Sequence, residues 1–181
     1  HLEGFGGLQG VIEGKSEMYQ YLSINNKLAF INLEDSIQVQ KEADLKFFSF
    51  GIKKENADVN IIDVKANPFV EINFSNLIIK SHLIGLYNAN NINAALTIGK
   101  YFGVYDIAIK EGLESYIPEN NRSQLLSKGT NQIILDAYNA NPSSMKVAIE
   151  NFLQLDNPNK IMILGDMFEL GDASTQEHLE V

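Results

Sequence analysis

Apolar and polar residues alternate along the first half of the chain in a pattern that predicts one helix followed by several strands. The helix is expected over about residues 10–22, where apolar residues recur at helical spacing and Lys15 lies on the same face. The β-forming runs that follow are residues 28–33, residues 47–50 and three runs between residues 59 and 83. The alternation in the last region indicates an antiparallel patch attached to a larger sheet.

Gly85 interrupts this pattern, and two helices are predicted after it. The first is expected over residues 88–102, with an apolar stripe formed by Ile92, Ala95, Leu96 and Gly99. The second is expected to begin at Asp106, as its capping residue, and to run to Tyr116. The polar segment 117–121 contains a proline and predicts a domain boundary.

The last third of the chain predicts a βαβ unit. A strand at residues 131–136, a helix at 142–153 and a strand at 160–165 follow one another, and strands joined by a helix lie parallel. Asn141 as the capping residue and Pro142 in the first turn favour a helix start at this point. The expected fold class is α/β, with an α/β domain that carries an antiparallel patch, followed by the start of a Rossmann-like domain.

Composition narrows the class of protein. The 181 residues are 45% hydrophobic and carry a formal net charge of −9, which argues against binding a nucleic-acid backbone but allows a nucleotide beside one local cation. The chain has no cysteine, no apolar run of roughly 18 residues and no opening signal peptide, so a cytoplasmic protein without membrane insertion is expected. We expect both ends to be cuts in a longer protein, because the chain starts in a glycine-rich turn without methionine.

The segment from Asp136 to Pro142 is the strongest candidate for chemistry. A run of apolar β-forming residues precedes an acid, a tyrosine (Tyr138) and an amide (Asn139), and a helix is predicted to begin directly after them. Such a junction between a strand and a helix is where α/β proteins hold anionic ligands. A similar order recurs at Gly165-Asp166-Met167. The two segments together predict an enzyme that binds a nucleotide or a phosphate.

Other candidate residues have both a functional and a structural interpretation. The run Gly10–Ser16 is similar to a phosphate loop, but Gln9 stands where the first glycine is required, so this interpretation is rejected. Lys15 either extends to solvent from an apolar stripe or serves a site. Asn88 and Asn91 either contact an adenine edge or cap a helix. The residues that could belong to a site or to a solvated terminus, turn or loop are His1, Arg122, Asp136 and Asp166.

Five motifs occur in order along the whole chain: HLEGFG with KSE after it, GLYNANNINAA, NNRSQ, DAYNANPSSMK, and LGDMFELG followed by His178. Together they resemble the Mur ligase family, the ATP-dependent amide ligases of peptidoglycan precursor synthesis. YNANP and GDMFELG are typical of the branch that adds D-alanyl-D-alanine to UDP-N-acetylmuramoyl-tripeptide. The resemblance implies the C-terminal part of a central ATP-binding domain at residues 1–117 and the first part of the C-terminal ligase domain at 118–181.

The resemblance also implies roles for individual residues. His1 matches a histidine that helps to hold Mg²⁺, and Lys15 matches a lysine whose carbamate supplies an oxygen ligand for that metal. Arg122 matches an arginine near the ATP phosphates, and Asp166 lies on a loop that closes toward the active site. Lys15, Arg122 and Asp166 are the expected catalytic residues. The other residues implied around ATP are Asn88 and Asn91 at the adenine, Asp136 at the ribose, and Tyr138 and Asn139 along the site wall.

The implied reaction has two steps. The terminal carboxylate of UDP-N-acetylmuramoyl-tripeptide attacks the γ-phosphate of ATP, and the amine of D-alanyl-D-alanine then displaces phosphate from the acyl phosphate. Tyr87 and Ala137 stand where the family usually has a histidine and a serine, and both departures are tolerable. The chain has no phosphate loop, so a fragment without activity of its own is expected. A monomer is the expected oligomeric state. The alternatives are a sister Mur ligase, a folylpolyglutamate synthase-like ligase, or a non-catalytic nucleotide-binding module.

Overall fold

The computed structural model describes residues 2–41, 45–119 and 121–181, which fall into two compact units. The central unit runs from Ile12 to Ile117. The C-terminal unit combines the residues from Pro118 to Val181 with the residues up to Val11.

Two three-stranded sheets form in the described part of the chain before residue 118. The elements are α1 (Leu2–Phe5), α2 (Leu8–Ile24), β1 (Leu28–Asn32), α3 (Ser36–Val39), β2 (Lys46–Ile52), β3 (Val59–Ile61), β4 (Asp63–Ala66), β5 (Phe69–Phe74), β6 (Leu77–Ile84), α4 (Ala89–Tyr101) and α5 (Asp106–Ser115). Strands β1, β2 and β3 pair in parallel, whereas β4, β5 and β6 pair antiparallel. The predicted antiparallel patch is therefore confirmed, although the region from residue 59 contains four strands instead of three.

One apolar core joins the elements of the central unit. Along β5, Val70, Ile72 and Phe74 are buried while the residues between them are half-buried, which is the period of two expected for a strand with one covered face. Helix α4 packs against all three strands of the parallel sheet. The buried core consists of Phe50, Val59, Ile61, Val70, Ile72, Phe74, Ile79, Ala89, Ile92, Leu96 and Ile109.

Helix α4 buries Ile92 and Leu96 of the predicted stripe, but the rest of its buried face differs from the prediction. Its buried residues are Ala89, Ile92, Asn93, Leu96 and Thr97, which follow the helical spacing of three and four, whereas Ala95 is exposed. The face is set by the sheet beneath the helix, and this packing places two polar residues inward. The predicted capping role of Asp106 is wrong as well. Tyr105 precedes the first residue of α5 without a side-chain cap, and Asp106 accepts a hydrogen bond from Lys100 Nζ at 2.6 Å.

The C-terminal unit contains an antiparallel hairpin followed by two helices. Its elements are β7 (Gln124–Lys128), β8 (Asn131–Leu135), α6 (Pro142–Gln154) and α7 (Ser174–Glu180). The predicted start of α6 is confirmed. The Asn141 side chain accepts from Ser144 N–H at 2.9 Å, the Ser144 hydroxyl accepts from Asn141 N–H at 3.1 Å, and Pro142 occupies the first turn.

The predicted strand at residues 160–165 is wrong. This segment has no strand assignment, and the side chains of Ile161 and Ile163 are 84% and 93% exposed. A strand needs a hydrogen-bonded neighbour, and β8 pairs with β7 in this structure. The βαβ unit and its parallel sheet are thus absent from the described C-terminal unit. The mixed α/β class with parallel and antiparallel sheets is confirmed for the chain as a whole.

Candidate functional site

The base of the β7–β8 hairpin brings together three of the predicted site residues, Arg122, Asp136 and Tyr138. The N–H of Ser123, a buried residue, donates to Asp136 Oδ1 at 3.2 Å, and Ala137 N–H donates to the Asn121 carbonyl at 2.8 Å. Asn121 and Ser123 both have positive φ angles, 53° and 49°, so the backbone turns sharply on either side of Arg122. These contacts tie the Arg122 segment to the end of β8. The contribution of Ser123 was missed from the sequence, because a serine beside an arginine gives no pairing signal.

Arg122 stacks on Tyr138. The guanidinium carbon lies 3.7 Å from the centre of the Tyr138 ring, and both side chains are exposed. A guanidinium over an exposed aromatic face gains about 0.5–1 kcal/mol and keeps its N–H edges available in the plane of the group. Arg122 is the single arginine among 14 basic residues of the sequence, and its planar fork suits two oxygens of one phosphate. The geometry therefore presents an oriented anion-binding group next to Asp136.

The start of helix α6 is already capped by the chain itself. Each of Asn141 and Ser144 accepts the backbone N–H of the other with its side chain. Asn139 Oδ1 accepts a hydrogen bond from the Ala140 N–H at 3.0 Å. Asn139 follows Tyr138 in the sequence and is exposed, so its amide N–H groups can reach a ligand. The expectation that Asn139 lines a nucleotide stays a prediction.

Asn88 and Asn91 lie together at the junction between β6 and α4. Gly85 has a φ of 85°, a conformation that favours glycine, and a 3₁₀ turn at Leu86–Asn88 leads into the helix. Asn88 is buried and donates from Nδ2 to the Ile84 carbonyl at 2.7 Å, while Asn91 Nδ2 donates to Asn88 Oδ1 at 3.2 Å. Asn88 thus helps to build the junction, and the exposed Asn91 amide is the better placed of the two for a ligand. Their contact with adenine stays a prediction.

The predicted metal site is not assembled by the described residues. His1 lies outside them, and no group of three histidine, cysteine or carboxylate side chains suitable for a metal occurs within the described ranges. Lys15 is exposed on α2, whose buried residue is the neighbouring Ser16, so the predicted apolar environment of Lys15 is wrong. Lysine is a cation and becomes a metal ligand only after carbamylation. The described residues alone therefore do not fit Mg²⁺.

Asp166 forms an ion pair with His178, a residue whose role was left open by the sequence. Asp166 Oδ1 lies 2.6 Å from His178 Nε2 and accepts from Met167 N–H at 3.1 Å. His178 Nδ1 lies 2.7 Å from the Ser174 carbonyl oxygen on the preceding turn of α7. The hydrogen bond to Ser174 and, after it, the hydrogen bond and charge of Asp166 raise the pKa of His178 above its ordinary value, while partial burial opposes them.

An open depression of about 490 Å³ lies where α4 ends and α5 begins. Lys100, Val104, Tyr105 and Asp106 are among its lining residues. None of the predicted site residues lines it. In the described chain, no helix combines the length and the apolar character needed to span a membrane.

Comparison with known proteins gives the class to which this fold and these residues belong. The Mur ligase middle-domain model matches residues 1–99, and the Mur ligase glutamate-ligase-domain model matches residues 121–181. The chain belongs to the Mur ligase family, and the resemblance seen in its motifs is confirmed. Two curated relatives are the UDP-N-acetylmuramoyl-tripeptide–D-alanyl-D-alanine ligases of Haemophilus influenzae, 33% identical over 100% of this chain, and Bacillus subtilis, 29% identical over 99% of it.

Solved structures agree with this assignment. The chain superimposes on MurF from Acinetobacter baumannii with a TM-score of 0.82 and 30% identity, covering 98% of this chain and 40% of that one. The MurF ligase from Thermotoga maritima, solved in complex with ADP, gives a TM-score of 0.79 and 28% identity, covering 99% of this chain and 42% of that one. The chain spans about 40% of the length of the two curated relatives.

Proposed function

We propose that this chain is part of an ATP-dependent ligase that joins D-alanyl-D-alanine to UDP-N-acetylmuramoyl-tripeptide. The observation that carries the proposal is similarity over nearly the whole chain to ligases with that name, one of which was solved with ADP. The Arg122–Tyr138–Asp136 group adds a chemical reason, because an oriented guanidinium beside a carboxylate suits a phosphate next to a ribose. The expected product is a peptide-linked precursor of peptidoglycan.

Each unit carries residues that we propose for nucleotide binding. In the central unit, the exposed Asn91 amide and the Asn88 junction that supports it would serve the adenine. In the C-terminal unit, Asp136 would accept hydrogen bonds from ribose hydroxyls, and Arg122 would hold phosphate oxygens. The remaining residues proposed along the nucleotide are Tyr138 and Asn139.

The proposed reaction proceeds through an acyl phosphate. A carboxylate oxygen of the tripeptide forms a bond to the γ-phosphorus of ATP while the bond to the ADP oxygen breaks. The amine nitrogen of the dipeptide then attacks the carbonyl carbon, and inorganic phosphate leaves as the tetrahedral intermediate collapses and the nitrogen loses a proton. Arg122 would neutralise charge on the transferred phosphate, and positioning of the reactants would supply much of the remaining rate enhancement.

A Mg²⁺ ion would supply charge neutralisation at the phosphates when it is bound. We propose His1 and a carbamylated Lys15 as its ligands, with support from the family resemblance of their motifs. The exposure of Lys15 on α2 makes its side-chain nitrogen accessible to CO₂, which would add to the neutral amine with release of a proton. We also propose a monomer in the cytoplasm, since the absence of cysteine suits a reducing compartment.

The test is ligation by the full-length protein. Phosphate release should require ATP, the tripeptide substrate and D-alanyl-D-alanine together, and glutamate should not replace the dipeptide. Arg122→Lys should raise the KM for ATP about tenfold, because an ammonium cannot hold two oxygens in one plane. Lys128→Ala removes an exposed cation from β7 of the same unit and should leave the KM unchanged. Turnover with glutamate in place of the dipeptide would assign the protein to a sister ligase.

A further inference from the structure

The loop after Asp166 is anchored at several points within the C-terminal unit. Met167 and Leu170 are buried, whereas Phe168 between them is exposed. His178 on α7 reaches back to this loop, where its Nε2 lies 2.6 Å from Asp166 Oδ1 and 3.1 Å from the Met167 nitrogen. The loop is therefore fixed by two buried side chains and by one histidine.

The orientation of the His178 ring follows from its two partners. Nδ1 faces the Ser174 carbonyl oxygen at 2.7 Å, an acceptor, so this nitrogen carries a proton. Nε2 lies 2.6 Å from Asp166 Oδ1, and the Met167 N–H, 3.1 Å from each of these two atoms, points between them. The contact between Nε2 and the carboxylate oxygen is a hydrogen bond when Nε2 carries a proton. The contacts to Ser174 and Asp166 are satisfied together in the imidazolium form, in which His178 is a cation with a fixed ring plane.

The two oxygens of Asp166 are used differently. Oδ1 receives both the His178 contact and the Met167 N–H, whereas Oδ2 has no hydrogen-bond partner among the residues that the structure describes. The Asp166 side chain is 67% exposed. The contacts to Oδ1 fix the orientation of the carboxylate group. Oδ2 therefore has a fixed direction and can still accept a hydrogen bond.

We propose that His178 is a positioning residue that fixes the Asp166 carboxylate, and that Asp166 Oδ2 accepts a hydrogen bond from the amino group of the amine substrate. This inference rests on the proposed ligase function. Of the three reactants, ATP and the carboxylate substrate are anions and would be repelled by Asp166. The amine enters as an ammonium, which carries three donors and a positive charge, and it releases one proton to solvent before its nitrogen attacks the carbonyl carbon. A carboxylate with one oxygen open therefore selects the amine.

The first test concerns the pair itself and is independent of catalysis. With ¹⁵N-labelled histidine in the 181-residue chain, the His178 ring at neutral pH should show two protonated nitrogens. His82 is an exposed histidine stacked edge-on against Phe69, and it serves as the internal comparison. Asp166→Asn should return the His178 signal toward that of a neutral ring. A neutral His178 in the unmodified chain, or a signal unaffected by Asp166→Asn, would overturn the pair.

The second test measures which substrate depends on the pair in the full-length ligase. His178→Ala should raise the KM for the dipeptide about tenfold and leave the KM for ATP unchanged, because a hydrogen bond to a charged group contributes about that factor. His178→Gln should recover part of the loss, since its amide N–H can replace Nε2–H, and His82→Ala should have no effect. Asp166→Asn should raise the same KM without removing a packed ring.

The possible results distinguish the proposed ligase function from the proposed binding of the amine by Asp166. A higher KM for ATP in the His178 or Asp166 variants, or unchanged values for both substrates, would refute amine binding by Asp166. A wild-type protein that turns over with another amine, and whose KM for that amine rises in the variants, would refute the proposed dipeptide while supporting the role of the pair. A wild-type protein without ligase activity would refute the proposed function and amine binding with it, and the ring signal of His178 would still decide the ion pair.

Discussion

Replacing Asn93 with leucine should stabilise the central unit. Asn93 lies on the buried face of α4, its exposed fraction is 0%, and neither Oδ1 nor Nδ2 has a hydrogen-bond partner among the described residues. Burying an amide without partners costs about 1–3 kcal/mol. Leucine has the same branch point, and its higher helix propensity adds up to roughly 0.5 kcal/mol. Its slightly larger volume opposes this gain by about 1 kcal/mol. We therefore expect the free energy of unfolding to rise by about 1–2 kcal/mol.

Thr97 offers a matched control one turn further along α4. It is also 0% exposed, but its Oγ1 donates to the Asn93 carbonyl at 2.6 Å. Thr97→Val removes a satisfied hydroxyl without changing the side-chain shape, so it should lower the free energy of unfolding by about 1 kcal/mol. The two substitutions bury similar apolar groups on the same face of the same helix. Their effects should nevertheless have opposite signs.

The assay is urea unfolding followed by far-UV circular dichroism, with hydrogen exchange at the α4 amides. Hydrogen exchange is needed because a chain with two units need not unfold in a single transition. A gain of 1 kcal/mol corresponds to a rise in Tm of about 4–8 °C for a unit of this size. If Asn93→Leu destabilises α4 as much as Thr97→Val does, the Asn93 amide has a stabilising partner, such as a buried water, and the reasoning is refuted.

Three further predictions concern charged or aromatic side chains. The pKa of His178 is raised in the folded state, so its charged form stabilises the loop most at low pH. Protection of the Met167 amide from hydrogen exchange should therefore be greatest below about pH 6.5 and fall as the pH rises through the raised pKa. A flat pH profile would contradict this. Glu114→Ala should lower the free energy of unfolding of the central unit by about 1 kcal/mol in urea titrations, because Glu114 Oε1 accepts a hydrogen bond from the Lys80 N–H at 2.8 Å. An unchanged unfolding midpoint would show that this contact contributes nothing. If the full-length protein has the proposed activity, Tyr138→Leu should raise its KM for ATP about two- to fivefold and Tyr138→Phe should not, because the ring face alone holds the guanidinium. Equal effects of the two variants would argue for the hydroxyl.

Local sequence signals predicted those parts of the fold whose stability depends on near neighbours. The start of α6 depends on a cap, a proline and a serine within four residues, so Asn141 and Pro142 were sufficient to locate it. The alternation in β5 reports the burial of one face, and the antiparallel patch followed from it. The break before α4 followed from Gly85, where the observed φ of 85° favours glycine.

The wrong predictions depend on groups outside the short segment that gave the signal. Residues 160–165 have the composition of a strand but no neighbouring strand to pair with among the described residues, so they form no strand and are exposed. Lys15 follows the helical spacing of the apolar residues of α2, yet that face of the helix is not covered at Lys15. Asp106 had the composition of a cap, but Lys100 lies within hydrogen-bond distance and takes its carboxylate. In each case the deciding group is outside that segment or is not found among the described residues.

Hydrogen-bond saturation separates motif residues that build the site from those that can bind a ligand. Asn88 and Asn141 belong to the motifs, but their amides hold a strand-to-helix junction and a helix start, so substitutions there should act mainly on stability. Arg122 has no hydrogen-bond or ion-pair partner in the described chain, and the Oδ2 atom of Asp166 has none either. Their orientation is nevertheless fixed, by Tyr138 in one case and by His178 in the other. A group that is held in place and still has open hydrogen-bonding capacity loses little entropy when a ligand arrives. Substitutions at these two residues should therefore change affinity more than stability.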